Sequence, residues 1–120
     1  MPASRSIVHY SRLHYRVSVH YPVTLHSNAV TRVGLMTTLS GNGCTIECQK
    51  SLDLSHHIEV HLRLPNQPRP LVIEAAAIRW SCGSLYGLEF LIVNNRQQLN
   101  RCVIEEIARA VSDPQQPKHS

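Results

Sequence analysis

Arg12 and Arg16 stand four residues apart in "YSRLHYRVSVHYPVTLHS", residues 10 to 27, a segment without an acidic residue. That spacing keeps both side chains on one side of the chain in a helical turn, and also in an extended strand, where they lie about 13 Å apart. Guanidinium is permanently charged, and its forked donors match phosphate oxygens or the O6/N7 edge of guanine. Two of them suit a ligand with phosphates and purine faces. By itself an RxxxR spacing is more often a pair of solvated surface arginines.

About two dozen residues later, "TLSGNG" adds a second element in which Ser40 offers a hydroxyl and Gly43 lets the backbone approach a ligand closely or take a positive φ. Alone, this stretch is an ordinary hairpin turn. Arg79 is a third candidate cation at the rim of such a site. Its neighbour Trp80 is read as a core residue that closes the fold, because its surroundings are rich in apolar side chains.

The charge is unevenly distributed. The first acid is Glu47, so residues 1–46 carry Arg5, Arg12, Arg16 and Arg32 unopposed, and the net charge of +4 sits in the first third of the chain. A chain of 120 residues with 42% apolar composition supports one domain with one core. No apolar run approaches the roughly 18 residues of a membrane span, which leads us to expect a soluble, cytoplasmic protein. Cys44, Cys48, Cys82 and Cys102 are too sparse for a disulfide scaffold and are read as reduced thiols, mostly buried in packing roles.

The elements that must position the arginines and the turn are strands. Val17, Val19, Tyr21, Val23 and Leu25 alternate with polar residues, and Pro22 suggests an edge or a strand end. "VTRVGLMTTL" and "CTIEC" flank the glycine turn as a hairpin, "HIEVHLRL" alternates with Ile58, Val60, Leu62 and Leu64 inward, and "PNQPRP" forces a loop. "LVIEAAAIRW" and "LYGLEFLIV" form a long hairpin across "SCGS". The spacing therefore predicts an all-β fold, a six-stranded antiparallel β-barrel over about residues 16–93, since closure removes exposed edges. A C-terminal α-helix over about 95–112 follows, with Leu99, Val103, Ile107 and Val111 as its apolar stripe and Asn94 or Asn95 as its cap. Residues 1–9 read as a flexible N-terminal segment and 113–120 as a disordered tail.

An RxxxR pair before the first strand, a small-polar-x-Ser-x-x-Gly turn, a hairpin ending in "YGLEF" and a terminal helix together resemble the PilZ domain over roughly residues 10–110. The resemblance implies a six-stranded barrel with a C-terminal helix, and a cytoplasmic bacterial receptor whose ligand is the second messenger cyclic di-GMP. It assigns ligand-binding roles to Arg12 and Arg16 from the first motif and to Ser40 and Gly43 from the second. Thr38 stands where the family has Asp or Asn. A carboxylate accepts two hydrogen bonds from a guanine edge, whereas threonine offers a shorter, neutral contact, and a lost charge-assisted bond is worth about 1.5 to 3 kcal/mol. Ser11 precedes Arg12 where some members carry a further arginine that helps hold a nucleotide dimer, so one ligand per site is expected.

Other constellations carry less. His57, Glu59 and His61 share a strand face, but residues four apart on a strand are about 13 Å apart, too far to share a zinc ion. No GxSxG, HExxH or Walker-type loop occurs, so no enzymatic chemistry, metal or cofactor is expected. Three functions compete. The first is a cyclic di-GMP receptor that changes conformation and signals to an effector protein. The second is a PilZ-fold adaptor with weak or no nucleotide binding. A barrel binding RNA or single-stranded DNA comes third, because only Tyr10, Tyr15 and Tyr21 could stack bases in the basic region.

Overall fold

Strict alternation builds the first strand, and the computed structural model, which describes residues 15–112, shows where each face goes. Strand β1 (Val17–Ser27) buries Val17, Tyr21, Val23 and Leu25, and a bulge between Ser18 and Tyr21 leaves Val19 half-buried. An Asn28–Ala29 turn with φ of 53° and 68° returns the chain into β2 (Val30–Leu39), as a two-residue hairpin with both central residues left-handed. β3 (Gly43–Glu47), β4 (Ile58–Leu62), β5 (Leu71–Cys82) and β6 (Leu85–Ile92) complete a closed antiparallel barrel in the order β1-β2-β3-β6-β5-β4. Among the described residues, six strands closed into a barrel and a C-terminal helix are the architecture expected from the residue pattern. Among the described residues, no helix is long and apolar enough to cross a membrane.

Closure removes the edge alternative for Pro22, which lies within β1 at the end of its ladder with β4. β1 is flanked by β2 and β4, and its ladder with β4 runs from Val23 opposite Leu62 to His26 opposite Glu59. Pro22 lies one step past the end of that ladder, and its carbonyl accepts a hydrogen bond from Arg63 N at 3.1 Å. A residue's N and C=O point to the same neighbour in an antiparallel strand, so the missing donor faces the place where β4 has already ended.

The core fills the barrel with Leu25, Met36, Leu39, Ile46, Val60, Leu62, Leu71 and Ile73, each at most 1% exposed. Helix α1 (Arg96–Ser112) is capped by Asn95, whose Oδ1 accepts from Gln98 N while its Nδ2 donates to Gln98 Oε1, both at 3.1 Å. Leu99 and Val103 are fully buried against the barrel and Ile107 packs partly against it. The expected apolar stripe stops there, because Val111 is 80% exposed. Tyr21 pins the helix to β1 by donating a hydrogen bond to Glu106, with Cys102 Sγ 3.5 Å from the same hydroxyl. All four cysteines are free thiols; Cys44, Cys48 and Cys102 are buried, but Cys82, expected to pack, is exposed at the end of β5.

Candidate functional site

The turn between β2 and β3 is organised by one hydroxyl. Ser40 Oγ accepts hydrogen bonds from Asn42 N and Gly43 N, both at 3.2 Å, and Ser40 N donates to the Gly43 carbonyl at 2.9 Å. Ser40 is therefore buried, 6% exposed, and acts first as the template of the turn. Phe90 N donates to the Asn42 carbonyl at 2.8 Å, and Arg96, in the first turn of α1, donates to the Gly41 carbonyl. Gly43 is required by close approach, since a Cβ there would stand 2.2 Å from the Leu88 carbonyl oxygen of β6.

This turn forms one wall of a cleft of about 280 Å³. Arg16, at the entry to β1, lines it together with Ser40, Asn42 and Gly43. The opposite wall comes from the β5–β6 hairpin, where Arg79 and Trp80 face Gly87 and Glu89. Arg16 also lies close enough to Cys44 to oppose the upward push that burial gives that thiol.

The role of Trp80 corrects the sequence reading. Alternation alone would send Arg79 and Trp80 to opposite faces, and the apolar hairpin around Trp80 suggested the core. A register shift between Ile78 and Trp80 makes Arg79 the extra residue of a bulge, and both side chains emerge on the outer, cleft-lining surface. Trp80 is 43% exposed and lies opposite Gly87, with its indole resting on the bare backbone of that glycine. The result is a flat aromatic platform beside two arginines.

The electrostatics are graded. Arg79 Nε meets Glu89 Oε1 at 2.6 Å, so the rim cation expected here is already paired, whereas Arg16 has no carboxylate in ion-pair range among the described residues. Thr38 does not line the cleft. It stands on β2 between Ser18 of β1 and Thr45 of β3, half-buried, with an Oγ1 that is shielded from solvent and unpartnered among the described residues. Arg12 and Ser11 lie outside the described residues. The structure thus gathers Arg16, Ser40, Gly43 and Arg79 into one cleft and leaves Thr38 out of its lining. Asn42, Gly87 and Glu89 join the site without having been singled out in the sequence. No group of three metal-ligating side chains occurs among the described residues. What the cleft offers is a cation, a stacking face and a close-packed turn of small residues.

The family model described as "PilZ domain" matches residues 10–105. The chain belongs to the PilZ domain family. The PilZ domain of CeSA from a cellulose-synthesizing bacterium has the same fold, with a TM-score of 0.58 and 19% identity over 76% of this chain and 92% of that one. The Bacillus subtilis inhibitor of motility, MotI/DgrA, aligns with a TM-score of 0.63 and 18% identity over 78% of this chain and 50% of that one. The Borreliella burgdorferi PlzA protein, solved in complex with c-di-GMP, aligns at 14% identity with a TM-score of 0.49, over 88% of this chain and 57% of that one. This PilZ domain thus spans about half the length of the latter two chains. No curated protein matches it.

Proposed function

We propose that this PilZ domain is a cyclic di-GMP receptor that performs no chemistry, and that ligand binding in the cleft changes the surface it presents to an effector protein. The observation that carries the reading is the cleft itself, where Arg16, without a carboxylate partner among the described residues, the Ser40–Gly43 turn and the Trp80 platform converge. In this reading the arginines of the RxxxR segment take the phosphates and one guanine, while Trp80 stacks on a base face. Base–aromatic stacking contributes about 1–3 kcal/mol, and each charge-assisted contact a similar amount. The segment holding Arg12 folds over the bound nucleotide as a clamp.

A second reading is supported by Thr38. The hydroxyl that replaces the family's carboxylate or amide does not line the cleft, so the domain lacks the charged or amide guanine acceptor of its motif. An adaptor that keeps the barrel and works through protein contacts alone fits that feature, while Arg16, Ser40 and Gly43 speak against it. The deciding experiment is a calorimetric titration with cyclic di-GMP, using GTP and a short oligonucleotide as controls. Saturable binding of cyclic di-GMP alone supports the receptor; no heat with any ligand supports the adaptor.

A further inference from the structure

At the other end of β2, Arg32 lies directly opposite Leu25 of β1, a core residue 1% exposed. Residues opposite each other in an antiparallel pair share a face, so this arginine is directed toward the inside of the barrel mouth. It lines a pocket of about 140 Å³ whose apolar walls are Leu25, Val30, Leu52 and Ile58. That volume is close to the 150 Å³ of an engineered apolar cavity that takes one benzene, the size of one large aliphatic side chain.

The arginine is poorly satisfied. Its Nε is shielded from solvent and has no acceptor among the described residues, and its Nη1 makes only a 3.4 Å contact to the Thr31 carbonyl. Asp53 also lines the pocket, but its carboxylate is consumed within its own loop by Ser55 N at 3.0 Å, Ser55 Oγ at 2.7 Å and His56 Nδ1 at 2.8 Å. Arg32 also borders a neighbouring hollow with Val33, which is 75% exposed, and Lys50. Neither cation has a carboxylate in ion-pair range among the described residues. A half-buried guanidinium whose Nε is shielded and unpartnered is incompletely satisfied, and a carboxylate is its matching partner.

We infer that this barrel mouth is a docking site for a segment of a partner protein that presents a carboxylate next to an aliphatic side chain, with the aliphatic group in the pocket and the carboxylate on Arg32. Charge and sequence select the occupant: residues 1–14 carry Arg5 and Arg12 and no acid, and the one acid of residues 113–120, Asp113, stands between Ser112 and Pro114 with no aliphatic neighbour beside it, so neither segment presents the pair. The polar lip formed by Ser27, Asn28 and Ser51 suits the amide groups of a peptide better than a bare hydrocarbon acid. Nine residue steps along β2 carry the chain from Val30 here to Leu39 beside the Ser40–Gly43 turn, roughly 30 Å at strand rise, so the site lies apart from the cleft.

The test is a methyl and amide NMR titration of the full chain with N-acetyl-leucine, N-acetyl-leucinamide and 4-methylpentanoate. A probe of about 12 heavy atoms should bind in the millimolar range. The expected result is saturable shifts at Leu25, Val30, Leu52 and Ile58, with N-acetyl-leucine binding at least about tenfold tighter than its amide and tighter than 4-methylpentanoate. Arg32→Gln should abolish the preference for acid over amide. Equal binding of acid and amide to the wild type, or no saturable shift at these residues, overturns the site even if Arg32→Gln does not fold. Tighter binding of 4-methylpentanoate than of N-acetyl-leucine overturns the peptide partner.

Discussion

The indole of Trp80 lies across Gly87, so closely that a Cβ on Gly87 would stand 2.0 Å from Nε1 and 2.2 Å from Cε2. Gly87→Ala must therefore displace the ring or the strand, and it should lower both stability and cyclic di-GMP affinity. Trp80→Ala, at a 43% exposed position, should leave the barrel folded and weaken binding by about 1–3 kcal/mol, the value of a stacked base. In the double variant the alanine at 87 meets no ring, so its stability should equal that of Trp80→Ala alone. Chemical denaturation of the four proteins checks this, and additive losses would mean that the indole does not rest on that glycine. Trp80 is the single tryptophan of the chain, so quenching of its fluorescence on titration reports the same contact directly.

The reason this platform escaped a reading of the sequence is specific. Period-two alternation places β1, β4 and most of the core without ambiguity, and the turn and capping residues mark the element ends. A β-bulge at Arg79 reverses the phase of everything after it, and a bulge leaves no compositional mark in a strand as apolar as β5. The glycine opposite was visible in "YGLEF", but the cross-strand register that joins it to Trp80 was not. Arg16, Ser40 and Gly43, which line the cleft, were singled out because the order and spacing of their two motifs resemble the family's, not by either motif alone. Glu89 was not, since an exposed glutamate becomes part of the site only through the register that sets it beside Arg79.

Arg16→Ala should weaken cyclic di-GMP binding by about 1.5 to 3 kcal/mol with little change in stability, because the side chain is exposed and unpaired among the described residues. Arg79→Ala should cost less, since its charge is already offset by Glu89. Glu89→Gln should do the opposite and raise affinity by up to about fivefold, the scale of an exposed ion pair released to serve a ligand. Calorimetry at low and high salt separates these effects. Unchanged affinity in Arg16→Ala would remove the phosphate contact from the mechanism.

Buried acids should make the fold less stable at alkaline pH. Burial pushes the Cys44 thiol up, with Arg16 opposing it, and burial also pushes Cys102 up, helped by Glu106 and Glu105 against the Tyr21 hydrogen bond and Arg109. Burial and the hydrogen bond to Glu106 raise Tyr21 as well. In the unfolded chain thiols ionise near pH 8.5 and tyrosine near pH 10. The folded state holds these protons where the unfolded state releases them. Their contribution is therefore complete below about pH 8.5 and is lost as pH rises, by at most about 1.4 kcal/mol per group per pH unit. Urea midpoints should fall steadily from pH 8 to 10.5, and Cys44→Ala should reduce the slope while costing some packing. A flat profile would show that these groups titrate as they do in the unfolded chain.

Position 38 decides between receptor and adaptor. The Thr38 hydroxyl has no partner among the described residues, so Thr38→Val should be neutral or slightly stabilising and should leave cyclic di-GMP affinity unchanged. Aspartate reaches further than threonine and can accept from two guanine donors at once. It would stand two residues before Ser40 on the strand that carries the turn, in a domain whose cleft-lining Arg16 offsets the added charge. Thr38→Asp should then raise cyclic di-GMP affinity by about tenfold or more, at some cost in stability for a partly buried carboxylate. The gain should be selective, because adenine presents no N1 donor to the new acceptor. Equal gains for cyclic di-GMP and cyclic di-AMP would mean that the residue does not read the base. If calorimetry finds no gain for either and the wild type gives no saturable binding, the single change rescues nothing and the adaptor becomes the better account of this domain.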